Sequence, residues 1–330
     1  MTDPPNATII GAGIAGLTAA RCLVEAGYHV SVIDKGRGVG GRMATRRIGD
    51  ARLDHGAQFF TVRTEPFRQL VDSAIDAGVV EAWCNGFSNN DGHARYVCPN
   101  GMTALTKWMA AELAERGVDI ALSTKATSII TDAHGWTVET EDGPSRLSQV
   151  LLSTAPVPQT LELLSSGGTT VAAEVDEVLR SIVYEPIFAL LVTLDGPSAV
   201  PPPGGMQQSA DEMFTFIGDN HQKRVSPVPA ITFHLNSTIS AQRWHDDNDA
   251  IVADVLPKIA PWTGNANVVD VQLHKWKYAS LPEPSPQPHV VVSKDPGIFV
   301  VAGDAFATAK VEGAFTSGMS AADAIVAHAS

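Results

Sequence analysis

The sequence has few of the residues that mark disulfide, metal, nucleic-acid or membrane proteins. Only three of its 330 residues are cysteines (Cys22, Cys84 and Cys98), in a spacing that suggests neither a disulfide framework nor a metal site. No apolar run approaches the roughly 20 residues that cross a bilayer. Basic residues number 23 against 36 acidic ones, a net charge of -13 that argues against nucleic acid or an anionic membrane as partner.

What is present describes an ordinary globular chain. A length of 330 residues predicts two domains, and 44% hydrophobic with 18% charged residues allows a sizeable core. Residues 1–5 are polar and lack the basic segment of a signal peptide, so the cytoplasm is the expected location. These features leave the oligomeric state open.

The first 34 residues have the pattern of a dinucleotide-binding unit. Residues 7–10 form a short apolar run that predicts a buried strand. The apolar spacing of residues 14–26 predicts a helix that ends at Gly27, and residues 29–33 predict a second strand.

A glycine-rich turn joins the first strand to the helix. Gly11, Gly13 and Gly16 have the spacing that permits a tight turn, close approach of a pyrophosphate, and close packing of helix on strand. The helix N-terminus offers unpaired N–H groups to phosphate. Asp34 closes the second strand and is placed to accept hydrogen bonds from ribose hydroxyls.

A second glycine-rich segment follows this unit. Gly41 lets the backbone approach a cofactor, and Arg42 can meet phosphate or flavin oxygens. His55, beside Asp54, allows a catalytic couple or a covalent flavin link, but a hydrogen-bonded structural histidine is the favoured interpretation.

The C-terminal region supplies a second half of the same site. Residues 298–302 predict a strand that ends at Gly303 and Asp304, and Gly313 precedes a small-residue helix beginning near Ala314. Asp304 can hold ribityl hydroxyls, and the helix N-terminus can face the flavin pyrimidine, where reduced flavin is negative. A plain dinucleotide domain needs only the first half, so the two halves together predict FAD.

The region between the halves has a different character. Alternating strands are predicted at residues 188–194, 213–217, 230–235 and 268–273, separated by proline-rich loops, which favours an antiparallel sheet. The predicted FAD-binding domain therefore combines residues 1–62, 99–160 and 289–330, and the substrate domain residues 63–98 and 161–288.

Two features of this region allow more than one interpretation. Residues 230–235 place Thr232 and His234 on the face opposite the apolar side chains, and the pattern alone favours solvent there. The aromatic residues Tyr184, Trp276 and Tyr278 could line a flat ring-binding cavity, but each taken singly is better explained as a core residue.

The chain resembles the renalases, within the flavin amine-oxidase superfamily that carries a Gly-Gly-Arg motif. The matching segments span nearly the whole chain in order: residues 10–16, 34, 40–45, 54–60, 99–102, 155–158, 219–220, 231–234, 275–276 and 303–304. The glycine and aspartate motifs indicate only the superfamily. The matches at residues 57–59, at 219–220 and at His234 point to the renalases.

The resemblance implies both a fold and an activity. The implied fold is α/β: a two-domain FAD-dependent oxidoreductase of the p-hydroxybenzoate hydroxylase type, with a Rossmann-like FAD domain, an antiparallel-sheet substrate domain and non-covalent FAD. The implied activity is oxidation of the 2- and 6-dihydro isomers of NAD(P) to NAD(P)+, with O2 reoxidising the flavin to yield hydrogen peroxide. NAD against NADP, and the preferred isomer, stay open.

The resemblance also implies site residues. His234 and Asn220 are expected to contact substrate, Trp276 to lie near the flavin, and Gln58 and Tyr278 to belong to the same catalytic group. The expected cofactor-binding residues are Gly11, Gly13, Ala15, Gly16, Asp34, Lys35, Gly41, Arg42, Gln58, Phe59, Ala126, Gly303, Asp304, Gly313 and Ala314.

Two other functions compete with this one. A flavin amine oxidase, acting on a polyamine or monoamine, would hold its neutral amine in an aromatic cage, for which Trp276 and Tyr278 are available. Residues 161–288 contain no distinctive acidic cluster for a second amine. A flavin-binding redox sensor without turnover is the third hypothesis.

Overall fold

The computed structural model describes residues 4–87, 92–210 and 212–329, which divide into two compact units. Unit 1 comprises Met1–Gly41, Thr106–Val183 and Leu281–Ser330; unit 2 comprises Arg42–Leu105 and Tyr184–Ser280. The chain thus alternates between the units, and it passes from unit 2 to unit 1 within one helix.

The described residues form eighteen strands and nine α-helices. The strands are β1 (Asn6–Ile10), β2 (His29–Ile33), β3 (Thr45–Ile48), β4 (Ala51–Asp54), β5 (Glu81–Cys84), β6 (Arg95–Val97), β7 (Asp119–Ala121), β8 (Ala126–Asp132), β9 (Gly135–Thr140), β10 (Arg146–Ser148), β11 (Val150–Ser153), β12 (Glu185–Leu194), β13 (Gly205–Gln207), β14 (Phe214–Asp219), β15 (Ala230–Leu235), β16 (Val268–Ser280), β17 (Val290–Ser293) and β18 (Ile298–Val301). The helices are α1 (Ile14–Glu25), α2 (Glu65–Asp76), α3 (Thr103–Glu115), α4 (Val157–Ser166), α5 (Ala173–Arg180), α6 (Ser237–Gln242), α7 (Asn248–Val255), α8 (Ala260–Thr263) and α9 (Val311–Ala329).

Unit 1 is built on a six-stranded sheet in the order β17-β18-β11-β1-β2-β7. Its strands are parallel, except that β17 runs antiparallel to β18. Strands β11 and β18 are buried along their whole length, as expected for apolar runs in a parallel sheet covered on both faces. Gly318 of α9 lies so close to α1 that a Cβ there would collide with the Ala15 carbonyl, so the two helices pack tightly.

A three-stranded antiparallel sheet, β10-β9-β8, completes unit 1 together with α4. The residues after α4 lie against β8, where the Thr169 hydroxyl donates to the Ile129 carbonyl at 2.7 Å. Gly167 leaves no room for a side chain beside the same carbonyl. These contacts hold 157–169 in unit 1.

Unit 2 is built on a five-stranded antiparallel sheet in the order β13-β14-β15-β12-β16. One face carries an apolar core, whose residues include Phe188, Leu190, Val192, Ile217, Ile231, Phe233 and Leu235. On the other face, Ile48, Ala51 and Leu53 of the β3–β4 hairpin pack against Ala189, Leu191 and Ala230.

This second face corrects one expectation from the sequence. The pattern favoured solvent on the side of β15 that carries Thr232 and His234. Thr232 is instead fully buried and His234 only partly exposed, because the β3–β4 hairpin covers that face. The hairpin itself was not predicted.

The domain borders also differ from the predicted ones. Residues 42–62 and 99–105 were predicted in the FAD-binding domain but belong to unit 2, because the β3–β4 hairpin packs on its sheet. Residues 161–183 and 281–288 were predicted in the substrate domain but belong to unit 1. For 161–169 the contacts to β8 are the reason.

Within the part of the chain that the structure describes, no helix is both long and apolar enough to span a membrane.

Candidate functional site

The glycine turn after β1 has the geometry that a bound pyrophosphate requires. Gly11 has a φ of +110°, and a Cβ there would collide with the Thr154 side chain. A Cβ on Gly16 would collide with the Gly11 carbonyl. At Gly13, by contrast, an added Cβ would meet nothing within 4 Å, and no side chain caps the N-terminus of α1. The turn therefore leaves open space in front of the first N–H groups of α1.

Asp34 lies beside this turn and holds its shape. Its Oδ2 accepts from the Ala12 amide at 2.7 Å and its Oδ1 from the Gly36 amide at 2.6 Å. Each carboxylate oxygen keeps further acceptor capacity for a ribose hydroxyl. The Thr124 amide donates to the Asp34 carbonyl at 2.8 Å, which brings the segment before Ala126 to the same place. Lys35 is exposed and donates to Gln159 at 3.1 Å.

The C-terminal half of the cofactor motif lies in the same unit. Gly303 has a φ of +136°, and its amide donates to the Ser317 hydroxyl of α9 at 2.8 Å. The helix begins at Val311, and the Ala314 amide already donates to the Lys310 carbonyl at 2.9 Å. The expected start near Ala314 is therefore wrong, and the amides that begin the helix are those that precede Ala314. A Cβ on Gly313 would collide with the Thr308 carbonyl.

Unit 2 contains a fully buried ion pair. Lys223 and Asp54 are both 0% exposed, and Lys223 Nζ lies 3.4 Å from Asp54 Oδ2. Asp54 Oδ1 accepts from the Thr45 hydroxyl at 2.7 Å and the Met102 amide at 2.8 Å. Burial lowers the pKa of the Lys223 ammonium, while the Asp54 charge opposes that shift.

Gln58 lies between this pair and His234. Lys223 Nζ donates to Gln58 Oε1 at 3.0 Å. The Gln58 amide nitrogen lies 2.5 Å from the Asp54 carbonyl, 3.2 Å from the Gly56 carbonyl and 3.4 Å from His234 Nε2. A side chain at Gly218 would meet Gln58 Oε1 at 2.9 Å, so this glycine gives the amide its room.

The His55 carbonyl gathers two of the expected site residues. Trp276 Nε1 donates to it at 2.7 Å, and His234 Nε2 lies 3.2 Å from it. The His55 ring stacks on Trp276 with centroids 5.1 Å apart, and His274 meets both rings edge-on at 4.5 Å. His55 is thus buried and packed, but its ring Nδ1 has no hydrogen-bond partner among the described residues, so ring packing holds it rather than the expected hydrogen bond.

The histidines of this cluster are held neutral. Burial lowers the pKa of His234 to about 4, with a further contribution from the Lys223 charge. Burial, with His274, Arg46 and His234 nearby, lowers the pKa of His55 to about 3. Burial also lowers the pKa of His274. At neutral pH the cluster therefore offers imidazole rather than imidazolium groups.

Asn220 is fully buried and supports the backbone of β4. Its Oδ1 accepts from the Asp54 amide at 3.2 Å, and its Nδ2 donates to the Thr232 hydroxyl at 3.0 Å and the Gly218 carbonyl at 3.3 Å. The Thr232 hydroxyl in turn donates to the Asp54 carbonyl at 2.9 Å.

Aromatic rings form two further groups in unit 2. The first contains Phe59, Trp83, Phe87 and Phe216, in which the centroids of neighbouring rings lie 5.3–6.2 Å apart. In the second, Tyr184 and Tyr278 meet edge-on at 5.5 Å. The Arg42 guanidinium lies 5.7 Å from the Tyr184 ring centroid and donates to the Tyr278 carbonyl at 3.2 Å.

The structure sorts the predicted site residues between the two units. His234, Gln58 and Trp276 come together in unit 2. Asn220 contacts the backbone of Asp54 in the same unit. Arg42, Phe59 and Tyr278 also belong to unit 2. The remaining expected cofactor-binding residues, namely Gly11, Gly13, Ala15, Gly16, Asp34, Lys35, Gly41, Ala126, Gly303, Asp304, Gly313 and Ala314, belong to unit 1.

Sequence reasoning missed Lys223 and Thr232. A lysine in the polar turn after Asp219-Asn220 has the appearance of a solvated residue, and only its position beside a matched motif could have drawn attention to it. Thr232 alternates with apolar residues and was assigned to a solvent-facing side. Both are fully buried, and both contact Asp54 or its carbonyl.

Comparison with known proteins identifies the family. Residues 9–74 match the model of the NAD(P)-binding Rossmann-like domain, and residues 79–326 match the model described as flavin containing amine oxidoreductase. The second match covers most of the chain. The chain belongs to the flavin containing amine oxidoreductases. The protein is therefore a flavin-dependent oxidoreductase of the amine oxidase type, with FAD as its cofactor.

Relatives of known name agree with this family. Renalase of Mus musculus is 23% identical over 333 residues, which cover 94% of this chain and 96% of the relative. A structure from Exiguobacterium sp. 255-15 matches with a TM-score of 0.74 at 13% identity, over 99% of both chains. A putrescine oxidase structure matches with a TM-score of 0.68 at 14% identity, over 98% of this chain and 99% of the other. The structural matches, at these identities, establish the fold alone.

The residues of unit 1 fit FAD. The open space at Gly13 faces an uncapped helix N-terminus, which suits a pyrophosphate. A methyl group added at Gly13 would project into this space. Asp34 and the 124–126 segment adjoin the turn where the adenosine would lie. The chemistry of the donor set, backbone amides with one carboxylate, is that of a dinucleotide site.

Proposed function

We propose that this flavoenzyme oxidises the 2- and 6-dihydro isomers of NAD(P) to NAD(P)+, with O2 as the electron acceptor. The observation that carries the proposal is the cluster around His234, whose partly exposed imidazole is held neutral by burial while its Nε2 faces the His55 carbonyl. The similarity to a renalase over most of both chains supports the same substrate class.

A dihydropyridine makes small demands on the protein. Loss of hydride restores the aromatic ring, so no strong base is needed and positioning supplies most of the catalytic effect. FAD, when bound, supplies the two-electron acceptor and passes the electrons to O2. The balanced reaction converts the dihydro isomer, O2 and one proton to NAD(P)+ and hydrogen peroxide.

We assign different roles to the residues of unit 2. His234 contacts the substrate, because its side chain is partly exposed and its Nδ1 has no hydrogen-bond partner among the described residues. His274 is also partly exposed, but its ring packs edge-on against His55 and Trp276. Trp276 orients the His55 carbonyl, and the His55 ring stacks against its indole. Gln58 and Asn220 are positioning residues. Gln58 holds the Asp54 and Gly56 carbonyls on either side of His55, and the fully buried Asn220 holds the strand that carries Asp54. Tyr278 contributes a ring of the tyrosine pair.

For the cofactor, we propose that unit 1 holds FAD non-covalently. Gly11, Gly13 and Gly16 approach the pyrophosphate, Asp34 binds the adenosine ribose, and Asp304 binds the ribityl chain. A parallel sheet with an added three-stranded sheet in unit 1, and an antiparallel sheet in unit 2, support a fold of the p-hydroxybenzoate hydroxylase type.

Amine oxidation is the second candidate, and the edge-on pair of Tyr184 and Tyr278 favours it. The surroundings of that pair argue against it, because the Arg42 guanidinium already lies over the Tyr184 ring, where the neutral amine would have to stack. The buried carboxylates Asp54 and Asp219 are fully hydrogen-bonded within the protein and 0% and 3% exposed. Neither is presented to a second amine.

Anaerobic reduction of the bound flavin tests the proposal. The FAD-loaded protein is mixed with 2- and 6-dihydro-NAD(P), ordinary 4-dihydro-NADPH and a panel of mono- and polyamines. We expect rapid bleaching by the 2- and 6-dihydro isomers alone, and slower bleaching with FAD retained in His234→Ala. Bleaching by an amine instead would favour amine oxidation as the activity. Flavin reduction without peroxide formation in air would favour a redox sensor.

A further inference from the structure

The hydrogen-bond roles around Gln58 determine where His234 carries its proton. Lys223 Nζ only donates, so the Gln58 atom 3.0 Å from it must be the amide oxygen. The Asp54 and Gly56 carbonyls only accept, so the atom that faces them must be the amide nitrogen. Three independent neighbours thus fix the same orientation of the amide.

The same reasoning continues to the imidazole. The Gln58 NH2 group has two hydrogens, and the carbonyls of Asp54 and Gly56 take both. His234 Nε2 lies closer to the His55 carbonyl, at 3.2 Å, than to the Gln58 nitrogen, at 3.4 Å. A lone pair on Nε2 would therefore face a carbonyl oxygen, whereas a proton on Nε2 makes a hydrogen bond.

The His55 carbonyl can accept this bond. Its oxygen has two lone pairs, and Trp276 Nε1 occupies one of them at 2.7 Å. His234 Nε2–H takes the other. The low pKa of His234 agrees with a single ring proton.

The second ring nitrogen is then an acceptor with a free lone pair. Among the described residues, His234 Nδ1 has no hydrogen-bond partner, and this atom is not completely buried. Because the His234 side chain is partly exposed, Nδ1 remains available to a ligand. The charge that acts on the ring is that of Lys223, in the turn after β14, whereas His55, in the loop after β4, contributes its backbone carbonyl.

We propose that His234 selects its substrate as a neutral acceptor at Nδ1, so that the group it binds must be an N–H donor. Within the proposed function, on which this selection rests, the donor is the carboxamide N–H2 of the dihydropyridine. A carboxylate or a methyl ketone at the same ring position offers only acceptors and leaves Nδ1 facing a lone pair.

Two measurements on the FAD-loaded protein test this proposal, and the first does not depend on substrate. NMR of the 15N-histidine-labelled holoenzyme distinguishes protonated from unprotonated ring nitrogens, with His234 assigned by the signals lost in His234→Gln. We expect a protonated Nε2 and an unprotonated Nδ1. A proton on Nδ1 would overturn the assignment.

The second measurement compares dihydro isomers of NAD, of its deamido carboxylate analogue and of its acetyl analogue. Because these substituents alter intrinsic hydride donation, the quantity compared is the ratio of each analogue's flavin-reduction efficiency to that of the carboxamide, in the wild type and in His234→Ala. We expect the ratio for each analogue to rise by about 10-fold or more in the variant, as for one lost hydrogen bond plus one unpaired group. The exposed His134→Ala variant serves as the control and leaves the ratios unchanged.

Equal ratios in wild type and His234→Ala would overturn the selection. Failure of every dihydropyridine, the carboxamide included, to reduce the flavin would instead refute the proposed function and the selection with it, while the NMR result would still decide the tautomer.

Discussion

Lys223→Met provides the most direct test of the buried pair. The substitution removes a cation whose side chain, like that of Asp54, is 0% exposed. Removing one partner of a buried pair costs about 3–5 kcal/mol, because the other charge stays buried without compensation. Asp54 keeps two donors at Oδ1, from Thr45 and Met102, so we expect the lower end, about 3 kcal/mol of unfolding free energy.

The assay is denaturant unfolding at a fixed excess of FAD. Lys125→Met is the matched control, since Lys125 forms a 3.1 Å ion pair with Glu141 in which both side chains are about half exposed. Pairs of that kind contribute below about 1 kcal/mol. Losses of equal size in the two variants would refute the reasoning.

A double-mutant cycle separates the pair from its surroundings. Asp54→Asn removes the second charge and keeps a side-chain oxygen for the Thr45 and Met102 donors. In a background that already carries Lys223→Met, we expect Asp54→Asn to recover about 2 kcal/mol of the loss. Strictly additive effects would show that the two charges do not interact.

Three further changes test the cofactor site and the cluster. Asp34→Ala should lose FAD, read as the flavin-to-protein absorbance ratio, whereas the exposed Asp142→Ala should retain it; normal flavin content in the first variant would contradict the assignment. Gly13→Ala should leave the apoprotein's thermal stability unchanged, since no protein atom lies within 4 Å of the added Cβ, but weaken FAD binding by about 10-fold or more; unchanged affinity would exclude a pyrophosphate there. The free energy of unfolding should fall as the pH drops from about 6.5 towards 4, because His234 and His55, with pKa values of about 4 and about 3, stay neutral in the folded protein while the unfolded chain binds protons. His234→Gln should reduce this loss by on the order of 3 kcal/mol at pH 4. An unchanged dependence of the unfolding free energy on pH would count against a neutral His234.

The sequence predicted the strands and helices whose apolar pattern is local. β2 was predicted at its observed bounds, and β1 and α1 within one residue. β15 was predicted with its observed bounds and its apolar face towards the core. These elements were predictable because apolar periodicity reports which side of a segment is buried.

The β3–β4 hairpin was not predictable in the same way. Thr45–Ile48 contains two exposed arginines, and its burial lies mainly at Ile48, so the strand has no clear alternation. Its place on the sheet depends on Ala189, Leu191 and Ala230, which lie far along the chain. For this reason the first segment of unit 1 ends at Gly41 rather than at the predicted residue 62.

By itself, the sequence determined the glycine turn with Asp34 and the second glycine motif near the C-terminus, since each is a local spacing that dinucleotide binding requires. These motifs also indicated the family. Only the tertiary structure decided which polar groups are buried together. Lys223 and Asp54 are 169 residues apart, and Gln58 and His234 are 176 apart. Whether a lysine is solvated or paired, and which nitrogen of a histidine carries the proton, depends on neighbours that the chain acquires only when distant segments pack.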